Sequence, residues 1–196
     1  MAQPIEFVFL GTGTSSCVPN ISCLTEDDPT CAVCIDALKY TTQPSGKLLQ
    51  SRNRRRNTSG IVRFSHPDGR IRNLLIDCGK TFYESAVEWC ADNNIRQIDG
   101  VLLTHGHADA MLGLDDLRNW TLGDGADPVQ SIVNVYLCPD TFSVVKRTFP
   151  YIVDTSNATS DLPNVAFHII PYSAEGHPIP FKVDGIDVTP LEGLFF

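Results

Sequence analysis

No apolar run in this 196-residue sequence approaches the ~18 to 20 residues that a bilayer-spanning helix needs; the longest, such as Val101–Leu103, are only a few residues. Met1 to Leu10 holds no basic segment followed by a long apolar one, so no secretory signal is read and a reducing compartment, cytoplasm or nucleus, is expected. Positive charge is scarce too. Lys and Arg number 15 against 23 Asp and Glu, a net charge of −8, which disfavours broad attraction to nucleic acid, whose binding depends on neutralising phosphates. Internal repeats, low-complexity tracts and a convincing linker are absent, so one domain is expected. Histidine is rare as well, five in the whole chain, which makes any local concentration of it informative. Cysteine is not rare. There are seven, an odd number, and in a reducing compartment they read as thiols or metal ligands rather than disulfides.

Along the chain, the alternation from Ile5 to Leu10 reads as a strand running into the small-residue turn Gly11–Ser16. From Cys17 to Asn57 apolar periodicity is lost, so this ~40-residue stretch is expected to be a loop that something other than a core must order. Four of the seven cysteines lie in it. Ile61–Phe64 and Asn73–Asp77 flank a Pro-Asp-Gly turn and read as a hairpin. Phe82, Ala86, Trp89 and Cys90 recur at helical spacing, which predicts a helix over Thr81–Asn93. Val101–Leu103 then reads as a short buried strand, Val133–Leu137 as another, and Pro139–Thr148 as a helix with Pro at its start. Val165–Ile170, Ile179–Val183 and Ile186–Leu191 complete a β-rich order with interspersed helices. The fold class is α/β or α+β layering over one core.

The chemistry concentrates directly after the Val101–Leu103 strand, at Thr104-His105-Gly106-His107-Ala108-Asp109. Imidazoles and a carboxylate on one tight loop suit zinc, manganese or iron, and His105 and His107 at i and i+2 can face one side of an extended loop. Cys31-Ala-Val-Cys34 with Cys23 supplies thiolates of the kind a structural zinc takes, with redox chemistry as the alternative. Cys78, Cys90 and Cys138 lie on apolar stretches and read as core thiols. His66, His168 and His177 read as structural or exposed. The cluster Arg52–Arg56 matches phosphate oxygens, with Arg55 and Arg56 as the candidates for substrate phosphate and a solvated basic loop as the alternative.

Leu102–Asp109 resembles the first metal motif of the metallo-β-lactamase superfamily, usually His-x-His-x-Asp-His, except that Ala110 stands at the last position. Gly113–Arg118, Phe9–Ser15 and Asn53–Ser59 resemble a narrower branch, the cyclic-phosphodiesterase-like proteins related to the enzyme of bacterial phosphonate breakdown. The resemblance implies an αββα sandwich, with His105, His107 and Asp109 as metal ligands and Asp109 at the catalytic centre. It implies that Asp115 or Asp116 substitutes for the absent ligand, against a plain acidic helix start favoured by the dipole. Asp77 would orient the metal loop from behind, against a helix N-cap. Residues 17–57 would be an insertion holding a structural zinc through Cys23, Cys31 and Cys34, with Cys17 or a later His as the fourth ligand. Asp187–Leu191 resembles the strand leading to the superfamily's third His, but Glu192–Phe196 follows without it, so the C-terminal part of the family's domain is expected to be missing here.

The function implied is metal-dependent hydrolysis of phosphodiester bonds, small or cyclic, with structural zinc and with zinc or manganese at the His site. An inactive metal-binding fragment or isoform and an RNA-processing nuclease of the same superfamily are the alternatives. A zinc module that recruits nucleic acid or protein has only Cys17–Cys34 in its favour. The expected partner is a small phosphodiester, with neither membrane nor nucleic acid, and missing strands would leave a sheet surface open to homo-oligomerisation.

Overall fold

The computed structural model describes residues 3–46, 48–123, 127–156, 161–191 and 193. In chain order the elements are β1 (Gln3–Gly11), α1 (Ile21–Leu24), α2 (Ala32–Asp36), β2 (Tyr40–Thr42), β3 (Leu48–Gln50), β4 (Ser59–Ser65), β5 (Ile71–Ile76), α3 (Phe82–Asp92) and β6 (Gly100–Leu102). They continue as α4 (Ala108–Met111), a 3₁₀ turn (Leu112–Leu117), α5 (Arg118–Thr121), β7 (Val133–Leu137), α6 (Pro139–Thr148), α7 (Pro150–Val153), β8 (Val165–Ile169), β9 (Phe181–Val183) and β10 (Ile186–Val188).

A single sheet of order β1-β4-β5-β6-β7-β8 organises the chain. β1, β4 and β5 are antiparallel, the last two joined through Gly69 at φ 83°, which a residue without Cβ adopts freely. From β5 to β8 the pairing is parallel. Parallel neighbours need crossovers, and the helical segments between these strands supply them. Register decides what each sheet face carries. Val8, Ile61, Leu75, Val101 and Val135 align across neighbouring strands and are buried with Phe82, Leu114 and Leu117 in the main core. Each such side chain contributes on the order of 1.5–3 kcal/mol by leaving water.

The opposite face aligns Phe7 with Val62 and Leu74, and Ile76 with Leu102, Tyr136 and His168. Part of it is covered by the β9–β10 hairpin, whose Val183 and Ile186 pack on Leu74, Phe64, Leu102 and Tyr136. The result is helices, sheet and a partial further β-layer, the mixed α/β order expected of the sandwich.

Two local expectations are corrected. The 17–57 segment is not featureless: it folds α1, α2 and a β2–β3 hairpin, and its Cys34 and Ala37 are buried. Asp36 ties it together, accepting from Ser51 Oγ at 2.7 Å and Asn53 Nδ2 at 2.9 Å. Nor does Asp109 sit on an extended loop, because the chain turns helical at Ala108 with Asp109 in the first turn of α4. Ala110 and Met111, both buried, explain the turn, since they give this short helix an apolar face.

Candidate metal centre

β5 and β6 run parallel and end together, so the residues that follow each strand meet. After β5, Asp77 adopts φ 56°, a left-handed conformation in which Asp is tolerated better than most residues. Its carboxylate is buried, and burial pushes its pKa up, partly offset by the bonds it accepts from Thr104. Those bonds come from the Thr104 amide at 2.8 Å and the Thr104 hydroxyl at 2.7 Å. The hydroxyl spends its proton on Asp77, so at 2.9 Å from His105 Nδ1 it acts as acceptor. This network assigns the proton to Nδ1 and leaves Nε2 as the lone-pair nitrogen. Nε2 lies 3.9 Å from Asp109 Oδ1.

The rings of His105 and His107 meet edge to face with centroids 4.8 Å apart. One donor atom from each of His105, His107 and Asp109 falls within 4.8 Å of the others. Zinc bonds of about 2.0–2.3 Å place tetrahedral donors roughly 3.3–3.8 Å apart, so small side-chain rotations close this set on an ion. Asp109 is held below the usual carboxylate range, first by the Ser15 hydroxyl, which donates to Oδ2 at 2.8 Å. Its backbone is pressed against Gly79, where a Cβ would stand 1.8 Å from the Asp109 carbonyl oxygen. Sequence reasoning missed Thr104 and Ser15; the only signal for either was proximity to a motif.

Cys23, Cys31 and Cys34 form another group with donors within 4.8 Å. The Cys34 sulfur is the largest cause that pushes Cys23 up to about 11, while the Cys34 backbone amide, and next its sulfur, hold Cys31 below its ordinary value. A soft, tightly spaced thiol set fits zinc. Cys17 is not part of it. It sits at φ 61° in a turn closed by its amide on the Thr14 carbonyl at 2.9 Å.

Asp115 and Asp116 are not brought to the imidazoles. Asp115 Oδ1 accepts from Arg118 at 2.8 Å and from the Tyr151 hydroxyl at 3.1 Å, while Asp116 is half-buried, its pKa raised by that burial. Ala110, at the position of the family's missing ligand, faces the core. Arg56 is an ion-pair partner rather than a free guanidinium, with Nη1 2.6 Å from Glu88, and Arg55 is exposed with its backbone bridged to Val18. Both line a cavity of about 730 Å³ along β1, the 43–56 segment and α3, a cavity that includes none of the imidazole-site residues. Two of the remaining histidines are engaged elsewhere: His66 with Asp68, and His168 with Asn134 while stacked on Tyr136. Cys78 and Cys90 are core thiols, but Cys138 caps α6, accepting from the Thr141 amide.

Similarity agrees with this geometry. The profile of the β-lactamase superfamily domain matches residues 72–194. An octanoyltransferase of Porphyromonas gingivalis is 32% identical over 111 residues, 57% of this chain and 17% of that protein. Among solved structures, a diphosphatase from the PhnP family superposes with TM-score 0.60 at 29% identity, over 94% of this chain and 55% of that one. The zinc-bound PqqB of Methylobacterium extorquens shares the fold, with TM-score 0.53 at 20% identity, over 96% of this chain and 51% of that one. The chain thus spans about half the length of these structures. With the matched profile covering more than half of its residues, the chain belongs to the metallo-β-lactamase superfamily.

Proposed function

We propose that this chain carries the metal-binding part of a zinc-dependent hydrolase whose substrates are small phosphodiesters, cyclic ones included. One observation carries the reading: His105, His107 and Asp109 converge within 4.8 Å on a loop that Asp77 orients through Thr104. These residues would hold zinc or manganese, and Cys23, Cys31 and Cys34 would hold a structural zinc that clips the 17–57 insertion onto a single 1–196 domain. A bound ion supplies an acidified water and positive charge against the phosphate oxygens. Asp77, through Thr104, would orient the His105 ring so that Nε2 faces the ion, and Asp109 offers a carboxylate held in the ionised form. Substrate charge is left to the metal, since Arg56 is neutralised by Glu88 and Arg55 lines a cavity apart from the imidazoles. A thiolate zinc site of this kind suits a reducing compartment, in keeping with the cytoplasmic location proposed here.

A second reading, metal binding with little turnover, is favoured by the donor count. Among the described residues the imidazole site gathers three donors, and Ala110, Asp115 and Asp116 add none. Three protein donors and an open position suit one zinc, not a pair. Metal analysis combined with hydrolysis of bis(4-nitrophenyl) phosphate under added zinc or manganese separates the readings. The purified chain is expected to hold a tightly bound zinc that Cys31→Ser releases, and an exchangeable ion that His107→Ala abolishes. Diester hydrolysis that disappears in His107→Ala supports the enzyme, zinc binding without hydrolysis supports the second reading, and unchanged metal content in His107→Ala sinks both.

A further inference from the structure

Ser15 lies far from Asp109 in sequence, yet its hydroxyl donates to Asp109 Oδ2 at 2.8 Å. The other oxygen, Oδ1, is turned toward His105 Nε2 at 3.9 Å. The carboxylate is therefore tethered on one side and open on the side of the imidazoles.

Both ends of the tether are braced. The buried side chain of Asn57 donates through Nδ2 to the carbonyls of Thr14 and Ser15, at 3.1 and 3.2 Å. Asn57 is in turn bonded to Thr81, its amide donating to Oγ1 at 3.0 Å and its Oδ1 accepting from the same hydroxyl at 3.3 Å. Upstream, the Gly13 amide donates to the Arg56 carbonyl at 2.7 Å, and the Thr58 hydroxyl donates to the Gly13 carbonyl at 2.8 Å. On the far side, Asp109 backs onto Gly79, and the Cys78 amide donates to the Ala110 carbonyl at 2.8 Å. The segment entering β4, the turn after β1 and the start of α4 thus meet at one hydrogen bond.

We propose that Ser15 is a positioning residue of the imidazole site: its hydroxyl holds Asp109 so that Oδ1 faces His105 and His107, and thereby sets the affinity for a divalent cation of zinc type. This rests on reading His105, His107 and Asp109 as a metal site. A carboxylate free to rotate must be ordered when the ion arrives, and that loss of rotamer freedom is subtracted from affinity. A carboxylate already fixed by Ser15 avoids the loss, and the hydroxyl also satisfies the oxygen that faces away from the ion. Groups that bond to metal ligands from behind typically change affinity by about 10–100-fold.

The test is zinc titration of the full chain against competing chelators, with cobalt substitution to separate the sites, because thiolate-bound cobalt absorbs differently from cobalt on nitrogen and oxygen. Threonine and valine are nearly isosteric and differ in the hydroxyl. Ser15→Val and Ser15→Ala are expected to weaken the imidazole site by about tenfold or more, while Ser15→Thr binds as the wild type does. The thiolate site, unchanged in all variants, reports that each is folded. Equal affinity of Ser15→Val, Ser15→Ala and the wild type overturns the assignment of Ser15 and leaves the metal site standing. A wild-type chain that loads only its thiolates overturns the metal-site reading, and the role of Ser15 with it.

Discussion

Thr104 holds a small number of atoms in a decisive arrangement, because one hydroxyl both donates to Asp77 Oδ2 and lies at hydrogen-bond distance from His105 Nδ1. Its loss has two separable consequences. The buried Asp77 carboxylate forfeits an acceptor bond, which costs ~1–3 kcal/mol for a charged group short of partners. His105 loses the contact that fixes its tautomer, so either nitrogen can carry the proton. Thr104→Val is therefore expected to lower chemical-denaturation stability by that amount and to weaken zinc binding at the imidazoles by about tenfold. Thr104→Ser, which keeps the hydroxyl, is expected to recover most of both. If Thr104→Val loses stability and binds zinc normally, the hydroxyl serves folding alone and His105 is oriented by something else.

The β9–β10 hairpin shows the same logic in a larger unit. Its turn residue Asp184 bonds to Arg72, which is 3% exposed and also meets Asp68 at 2.8 Å, so one guanidinium joins the tips of two hairpins. Asp68 sits well below the usual carboxylate range, first because the Arg70 amide bonds to it and next because of Arg72. Since its folded-state pKa is depressed, the stability it contributes is present above the unfolded value of about 3.9 and is lost as pH falls toward the folded value. Hydrogen exchange of the Phe181–Val188 amides should accelerate as pH is lowered through 4, once corrected for intrinsic rates, and Asp68→Asn should show the fast regime already at neutral pH. Exchange that tracks the main-sheet amides in both would mean that Val183 and Ile186 hold the hairpin without help from charge. Elements of this kind were unevenly legible in the sequence. Val133–Leu137 and Phe82–Asp92 carry uninterrupted apolar periodicity, and the structure has them where the pattern puts them. The turn from His107 into α4, and the short helices and hairpin within 17–57, are too brief and too polar to leave a periodic trace. Asp115 and Asp116 read as metal donors because a carboxylate near a motif looks the same whichever way it faces; Arg118 and Tyr151 decided the direction of Asp115. The Ser15–Asp109 bond joins distant segments and had no local signal at all.

At the scale of the whole molecule, the described residues cover the two faces of the sheet unequally. The main core seals the helical side, but the β9–β10 hairpin covers the reverse side only around Leu74, Phe64, Leu102 and Tyr136. Beyond its reach, Phe7 and Phe9 remain 45% and 63% exposed, meeting edge to face at 4.7 Å, with the Phe7 ring laid over Gly60. They lie on β1, which among the described residues pairs with β4 alone and so is also an edge of the sheet. An apolar patch on an open strand edge is the combination that soluble proteins usually protect, by charge, by Pro or by covering it. Here Pro4 and Glu6 are the only such guards along the strand, and Glu6 is already paired with Arg63 at 2.6 Å. We therefore propose that the isolated chain self-associates through this surface. Light scattering across a dilution series is expected to show mass falling with concentration, and Phe7→Lys combined with Phe9→Lys should leave a monomer at every concentration. The same substitutions should leave zinc at the thiolates and imidazoles untouched, because neither phenylalanine is among their donors. A wild-type chain that scatters as a monomer at high micromolar concentration would show that the exposed rings and the strand edge do not suffice for association, and that Glu6 and Pro4 guard the edge adequately.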